Sequence, residues 1–121
     1  MYICAMHSTE LIKGTLRTII LKLLGENSKL YGYEITQKVR ELSNEKIIIT
    51  EGALYPLLHK LEADGLVETE TEYIGKRVRK YYKLTQSGSN LSQEMIKEFF
   101  EFMQTMQLVM LPKHTTGNAI G

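Results

Sequence analysis

The chain predicts a mainly α fold with a small β wing, and three features of its 121 residues point there. Apolar residues recur at helical spacing in four separate segments. A helix stop at Asp64-Gly65 is followed by two strand-like runs either side of Gly75. The turn between those runs carries Lys76 and Arg77. A helix feeding a two-stranded ribbon tipped with cations is the shape of a winged helix-turn-helix, here with a long C-terminal helix behind it. Such a shape offers one element to the DNA major groove and another to the backbone beside it.

Each element has its own justification. A first helix is expected over about Thr9–Leu24, where Leu11, Leu16, Ile19, Ile20, Leu23 and Leu24 form a stripe, with Gly25 as its stop. A second should run from near Gly32 to about Leu42, with Ile35, Val39 and Leu42 facing inward. Ile47-Ile48-Ile49 is short and β-branched, which predicts a strand able to join the downstream hairpin. Thr50 suits the N-cap of a third helix, with Glu51 at its positive end. Leu54, Leu57, Leu58 and Leu61 then follow the i, i+3, i+4, i+7 pattern of one buried face. Pro56 falls one turn inside, where it removes a hydrogen bond to Gly52. Either an irregular first turn or tertiary packing must absorb that cost.

The hairpin strands are expected at Leu66–Thr71 and Val78–Leu84. On the second, Val78, Lys80, Tyr82 and Leu84 share a face, and Arg79, Tyr81 and Lys83 share the other. Leu84 marks the buried side, so Tyr82 reads as core, and Arg79 and Lys83 as exposed. The long helix is expected from about Ser87 to Leu111, striped by Leu91, Met95, Phe99, Phe102, Met106 and Val109. Ile96, Phe100 and Met103 widen that stripe beyond what one small wing covers. Pro112 ends it. The resulting division is a winged head over residues 1–85, a helix over 86–111 and a flexible tail over 112–121.

Composition narrows the function. Hydrophobic residues at 43% and charged residues at 24% are ordinary for a soluble globular domain. No apolar run approaches the roughly 20 residues that cross a bilayer. The opening MYICAMHSTEL has no basic n-region, so no signal peptide and a cytoplasmic location are expected. Cys4 alone makes no internal disulfide and reads as an inert thiol. His7, His59 and His114 lie in separate segments, so neither a metal nor a cofactor is expected. With no phosphate loop and no nucleophile elbow, an enzyme is not expected either. Net charge is only +1, but its distribution is polarised. Glu62, Asp64, Glu68, Glu70 and Glu72 precede Lys76, Arg77, Arg79, Lys80 and Lys83, with no opposite charge inside either group. Cross-strand pairing along the ribbon and free charge at its tip are both expected.

Four segments, in this order, resemble the PadR-like transcriptional regulators: GTLRTIILKLL, YGYEI, EGALYPLLHKLEADGLVE and KRVRKYYKLTQSG. The resemblance spans Gly14 to about Met106. It implies a winged helix-turn-helix homodimer that represses transcription from double-stranded DNA, at a palindromic operator. It also implies that the last helix mediates dimerisation, through Leu91, Met95, Phe99, Phe102, Met103 and Met106. Some relatives bind small aromatic effectors at the dimer centre, stacking them on a tryptophan. This chain has no Trp, and Phe99, Phe100 and Phe102 are the nearest aromatics. Pocket lining and plain packing are both open for them.

The candidate DNA-contacting residues are Tyr33, Thr50, Gly52, Tyr55, His59, Lys60, Lys76, Arg77, Arg79 and Lys80. In the family the tyrosine matching Tyr55 approaches the DNA backbone; the bland alternative is a ring bracing the helix-turn-helix. His59, one turn on, points to a base edge, a phosphate or solvent. Lys76 and Arg77 suit backbone contact at the turn. Arg79 and Lys80 compete between phosphate and Glu68 or Glu70, and Tyr33 between packing and phosphate. A rival class is a winged-helix module that recruits protein, for which the acidic Glu51, Glu62 and Asp64 speak.

Overall fold

The structure is a computed structural model that describes residues 7–113. Cys4, His114 and the tail beyond Lys113 lie outside the described residues. The elements run α1 (Thr9–Lys13), α2 (Leu16–Glu26), β1 (Leu30–Tyr31), α3 (Gly32–Leu42), α4 (Glu51–Ala63), β2 (Val67–Ile74), β3 (Arg77–Leu84) and α5 (Gln86–Met110). The three strands form one antiparallel sheet in the order β1-β3-β2. The core lies between α2, α3, α4 and the inner face of that sheet. It is built from Ile20, Leu21, Leu24, Ile35, Leu54, Leu58, Leu61 and Tyr82.

The expected first helix is two helices. The Thr15 amide and hydroxyl both donate to the Ile12 carbonyl, each at 2.9 Å, closing a turn at Gly14 that breaks the helix. Gly25 is not the stop. It lies within α2, where an added Cβ would sit 3.4 Å from Leu84 Cδ1, so its role is close packing. The stop is Asn27, whose side-chain amide donates to the Leu23 carbonyl at 2.7 Å.

The third strand is also not where the isoleucines are. Leu30 pairs with Tyr82 and Tyr31 with Tyr81, whereas Ile47–Ile49 stays irregular. The Ile47 amide donates to Ser43 Oγ at 3.0 Å, and Ile49 is buried in the core. Ile49 is buried and Ile47 half-buried while Ile48 is exposed, and the backbone of the three pairs with no strand. Leu42 is exposed at 71%, against its expected inward orientation. The helix ends there, and a turn with positive φ at Asn44 (53°) and Glu45 (63°) carries the chain away before anything covers it.

α4 begins and ends as expected. Thr50 Oγ1 accepts from the Ala53 amide at 3.2 Å, and Gly65 follows the helix at φ +74°. Leu54, Leu58 and Leu61 are fully buried, while Leu57 is half-buried. Pro56 sits inside this unbroken helix, so packing of the leucine face outweighs the lost hydrogen bond. The hairpin strands extend beyond their expected ends, to a two-residue turn in which Ile74 faces Arg77. Gly75 takes the first central position at φ +63°, which a side chain would resist.

α5 is anchored at its start. Thr85 Oγ1 accepts from the Gly88 amide at 3.1 Å and donates to the Gly65 carbonyl at 2.7 Å. Gly88 lies so close to Leu66 that a Cβ there would meet the Leu66 carbonyl carbon at 2.9 Å. The helix then packs along α2, with Leu91 and Met95 against the core and Ser92 buried.

Candidate nucleic-acid interface

The leucine face of α4 commits half of that helix to the core, and the other half forms the candidate reading surface. Gly52, Pro56, His59 and Lys60 are exposed there. Thr50 sits at its N-terminal edge with its hydroxyl used as the cap. Lys60 donates to both carboxylate oxygens of Asp64, at 3.2 and 3.1 Å. Glu62 is engaged too, lying 3.9 Å from Lys80 Nζ and accepting from the Thr69 hydroxyl at 3.4 Å. Of Glu51, Glu62 and Asp64, the last two are therefore engaged within the chain, and Glu51 has no ion-pair partner among the described residues.

Tyr55 is half-buried and reaches from α4 to the first turn of α3. Its ring fills the space that a side chain at Gly32 would need: a Cβ there would lie 2.7 Å from Tyr55 Cζ. Burial, with Glu51 as the second cause, pushes the Tyr55 phenol above its usual range. The geometry thus gives Tyr55 the bracing position between the two helices. Tyr33 stands one residue further along α3, 60% exposed, with its ring stacked 6.4 Å from Tyr31.

The wing sorts its cations. Lys83 pairs with Glu70 at 3.3 Å and Glu68 at 3.6 Å. Lys29, from the loop before β1, bonds Glu70 at 2.7 Å and also Glu72. Those bonds hold the Glu70 carboxyl below the usual carboxylate range, Lys29 first and Lys83 second, and raise Lys29. Arg79 is half-buried, with its guanidinium 4.1 Å over the Tyr31 ring, and Lys83 is half-buried as well. Both had been expected to be exposed; the β1 strand beside β3 supplies the cover. Lys80 pairs with Glu62, not with Glu68 or Glu70. Lys76 and Arg77 are exposed and have no ion-pair partner among the described residues.

A second surface lies at the far end. Phe102, Met103, Leu108, Val109, Met110 and Leu111 are exposed on α5. With Leu11, Ile12 and Ile47 of the head, Phe99, Phe102, Met103 and Met106 line an apolar groove of about 630 Å³. Of the residues expected to dimerise, Leu91 and Met95 instead pack on this chain's own core. Among the described residues no cluster suits a metal ion, and no helix is long and apolar enough to cross a membrane.

Sequence reasoning missed Lys29 and Tyr31, because the strand that holds Tyr31 and follows Lys29 is only two residues long. It also missed Tyr73, Ile74 and Val78 as exposed apolar groups. The period-two run from Val67 to Ile74 was the available signal, had the strand been followed past Thr71.

A helical head with a helix-turn-helix, and a cationic hairpin beside it, define a winged helix-turn-helix protein. Its particular kind follows from comparison with known proteins. A family model described as the transcriptional regulator PadR-like family matches residues 20–94, and the chain belongs to that family. A transcriptional regulator from Mycobacterium tuberculosis is 32% identical over 109 residues, which span 90% of this chain and 96% of the relative. A transcriptional regulator from Clostridium thermocellum superposes with a TM-score of 0.78 at 28% identity, over 85% of this chain and 100% of that one. Bacillus subtilis PadR in complex with operator DNA matches with a TM-score of 0.62 at 30% identity, over 68% of this chain and 45% of its own.

Proposed function

We propose that this PadR-family regulator is a homodimeric repressor that binds a palindromic operator in double-stranded DNA. In each copy α4 enters the major groove, presenting Gly52, His59 and Lys60 beside Tyr55 and the Thr50 cap. The wing holds flanking phosphates through Lys76 and Arg77, with Tyr33 at the start of α3. Two-fold symmetry sets half-sites roughly 34–36 Å apart, or a multiple of that.

The observation that carries this reading is the selective pairing of the wing. Lys80 and Lys83 are neutralised within the chain, while the two cations at the tip are left available. The family match and the operator complex of the Bacillus subtilis relative support it. A protein-recruiting role drew on the acidity of Glu51, Glu62 and Asp64, and two of those three are engaged within the chain, by Lys80 and Lys60. Mobility-shift titration against the DNA upstream of the chain's own gene, at two salt concentrations, tests the reading. Retardation that weakens with salt is expected; no retardation, or none of that dependence, overturns it.

Dimerisation is assigned to residues 86–111, through the distal stripe of α5 that the head leaves uncovered. The groove against Leu11, Ile12 and Ile47 is the place for a small aromatic effector, with Phe99 and Phe102 as its stacking surfaces. Such a ligand regulates by favouring one separation of the two reading helices. A thermal-shift screen with planar aromatic compounds reads it directly, because binding the folded state raises its stability.

A further inference from the structure

The wing is longer than its packing needs. Thr69–Tyr82 is the last cross-strand pair with a fully buried member, and Tyr73–Val78 lies four residues beyond it, about 13 Å further out. Out there Tyr73 is 77% exposed, Val78 61% and Ile74 47%. Tyr73 and Val78 sit on the inner face and Ile74 on the outer one, so no single covering layer accounts for all three. Between them is the Gly75 turn, with open space around it, and the unpaired Lys76 and Arg77.

We propose that this tip is an apolar wedge for the DNA minor groove, which it enters to open a base step. Tyr73, Ile74 and Val78 press against the bases, and Lys76 and Arg77 hold the phosphates on either side. The inference rests on the operator-binding reading above. Charge decides the occupant. Three apolar side chains ringed by free cations complement a surface with anions outside and stacked apolar faces within, which a duplex supplies. A second copy related by a two-fold axis would set Lys76 and Arg77 against themselves. The minor groove, about 6 Å wide, admits the side chains of the turn, which are the ones exposed.

The test uses the full chain and a retarded duplex carrying 2-aminopurine at successive adenines. The native protein is expected to raise fluorescence several-fold at one step flanking each half-site, with bending seen by end-to-end energy transfer. The variant Y73T/I74T/V78T puts a β-branched strand former at each exposed position, so the hairpin is retained. It should still retard the duplex with an unchanged salt slope, because both cations remain, while losing the fluorescence rise and the bend. Equal unstacking by this variant, or no unstacked step in the native complex, overturns the wedge while leaving operator binding intact. Failure of the native protein to retard any duplex overturns the operator reading itself. Loss of a native oligomer in the variant, measured by light scattering, overturns the wedge in favour of self-association.

Discussion

Replacing Gly32 with Ala should uncouple the two helices of the reading head, and the structure sets the size of the effect. A Cβ at Gly32 would lie 2.7 Å from Tyr55 Cζ and 3.1 Å from Cε1. Ordinary carbon contacts begin near 3.5 Å, so the ring must retreat by about 1 Å. Overpacking of this kind costs about 1–3 kcal/mol. Alanine recovers at most about 1 kcal/mol, because glycine is the poorer helix residue. The net destabilisation expected is therefore about 0.5–2 kcal/mol. Its origin is specific to one partner, and a double-mutant cycle isolates it. Urea titrations of Gly32→Ala, Tyr55→Leu and the double variant should show Gly32→Ala costing at least about 1 kcal/mol less once the ring is gone. Operator affinity, measured well below the melting transition, should fall in Gly32→Ala by more than the unfolded fraction explains. Additivity within about 0.5 kcal/mol would refute the bracing contact.

Other expectations follow from single features. Pro56→Ala restores an amide one turn into α4, and should stabilise the fold by about 2 kcal/mol after the entropy released to the unfolded chain. The melting temperature should then rise by several degrees, and an unchanged value would mean that the helix loses nothing at Pro56. The Lys29–Glu70–Lys83 group predicts a stability plateau. Glu70 is depressed by its partners, so its contribution is present above about pH 4.3, the unfolded value, and is lost as pH falls through the folded one. Lys29 is raised, so its contribution is full below about pH 10.4 and disappears as pH rises further. Glu70→Gln should lower the urea midpoint at neutral pH and flatten its fall in acid; an unaltered acid limb would remove Glu70 from the account. Lys76→Ala with Arg77→Ala should weaken all duplexes alike, lowering the salt slope by about 2 per protomer. Truncation before Ser92 should yield a poorly folded monomer, and a stable dimer after that cut would contradict the use of α5.

What was legible beforehand depended on how local its cause was. The caps at Thr50 and Gly65, the leucine ladder of α4 and the burial of Tyr82 follow from side chains within one turn or one strand. They were read correctly. The break at Thr15 depends on a threonine hydroxyl choosing a carbonyl three residues back, which periodicity does not detect. The third strand was assigned to Ile47–Ile49 because β-branched residues favour strands. The sheet edge went instead to Leu30–Tyr31, which partner geometry selects and composition does not. At the candidate interface, cross-strand pairing along the ribbon and free charge at its tip could be read from order alone. The pairing that Lys29 adds could not, since Lys29 and Glu72 lie 43 residues apart.

That pairing changes what a net charge of +1 means for a DNA-binding chain. The five cations of Lys76–Lys83 look like one basic strand. In the fold Lys80 and Lys83 face carboxylates and Arg79 lies over Tyr31, leaving two at the tip. In the proposed dimer, two tip cations per copy would neutralise about four phosphates, a wing contribution to the salt slope near −3.6. That is modest beside strongly basic DNA-binding proteins, so non-specific attraction alone holds this regulator weakly. On that reading, affinity for an operator would come chiefly from α4 and from the apolar contacts proposed at the wing tip, which must exceed the cost of opening a step. Both terms depend on sequence, the first through base edges and the second through the ease of opening a step. The ion pairs of the wing would therefore act on specificity: by engaging cations that could bind any phosphate, they would leave more of the binding energy to contacts that discriminate.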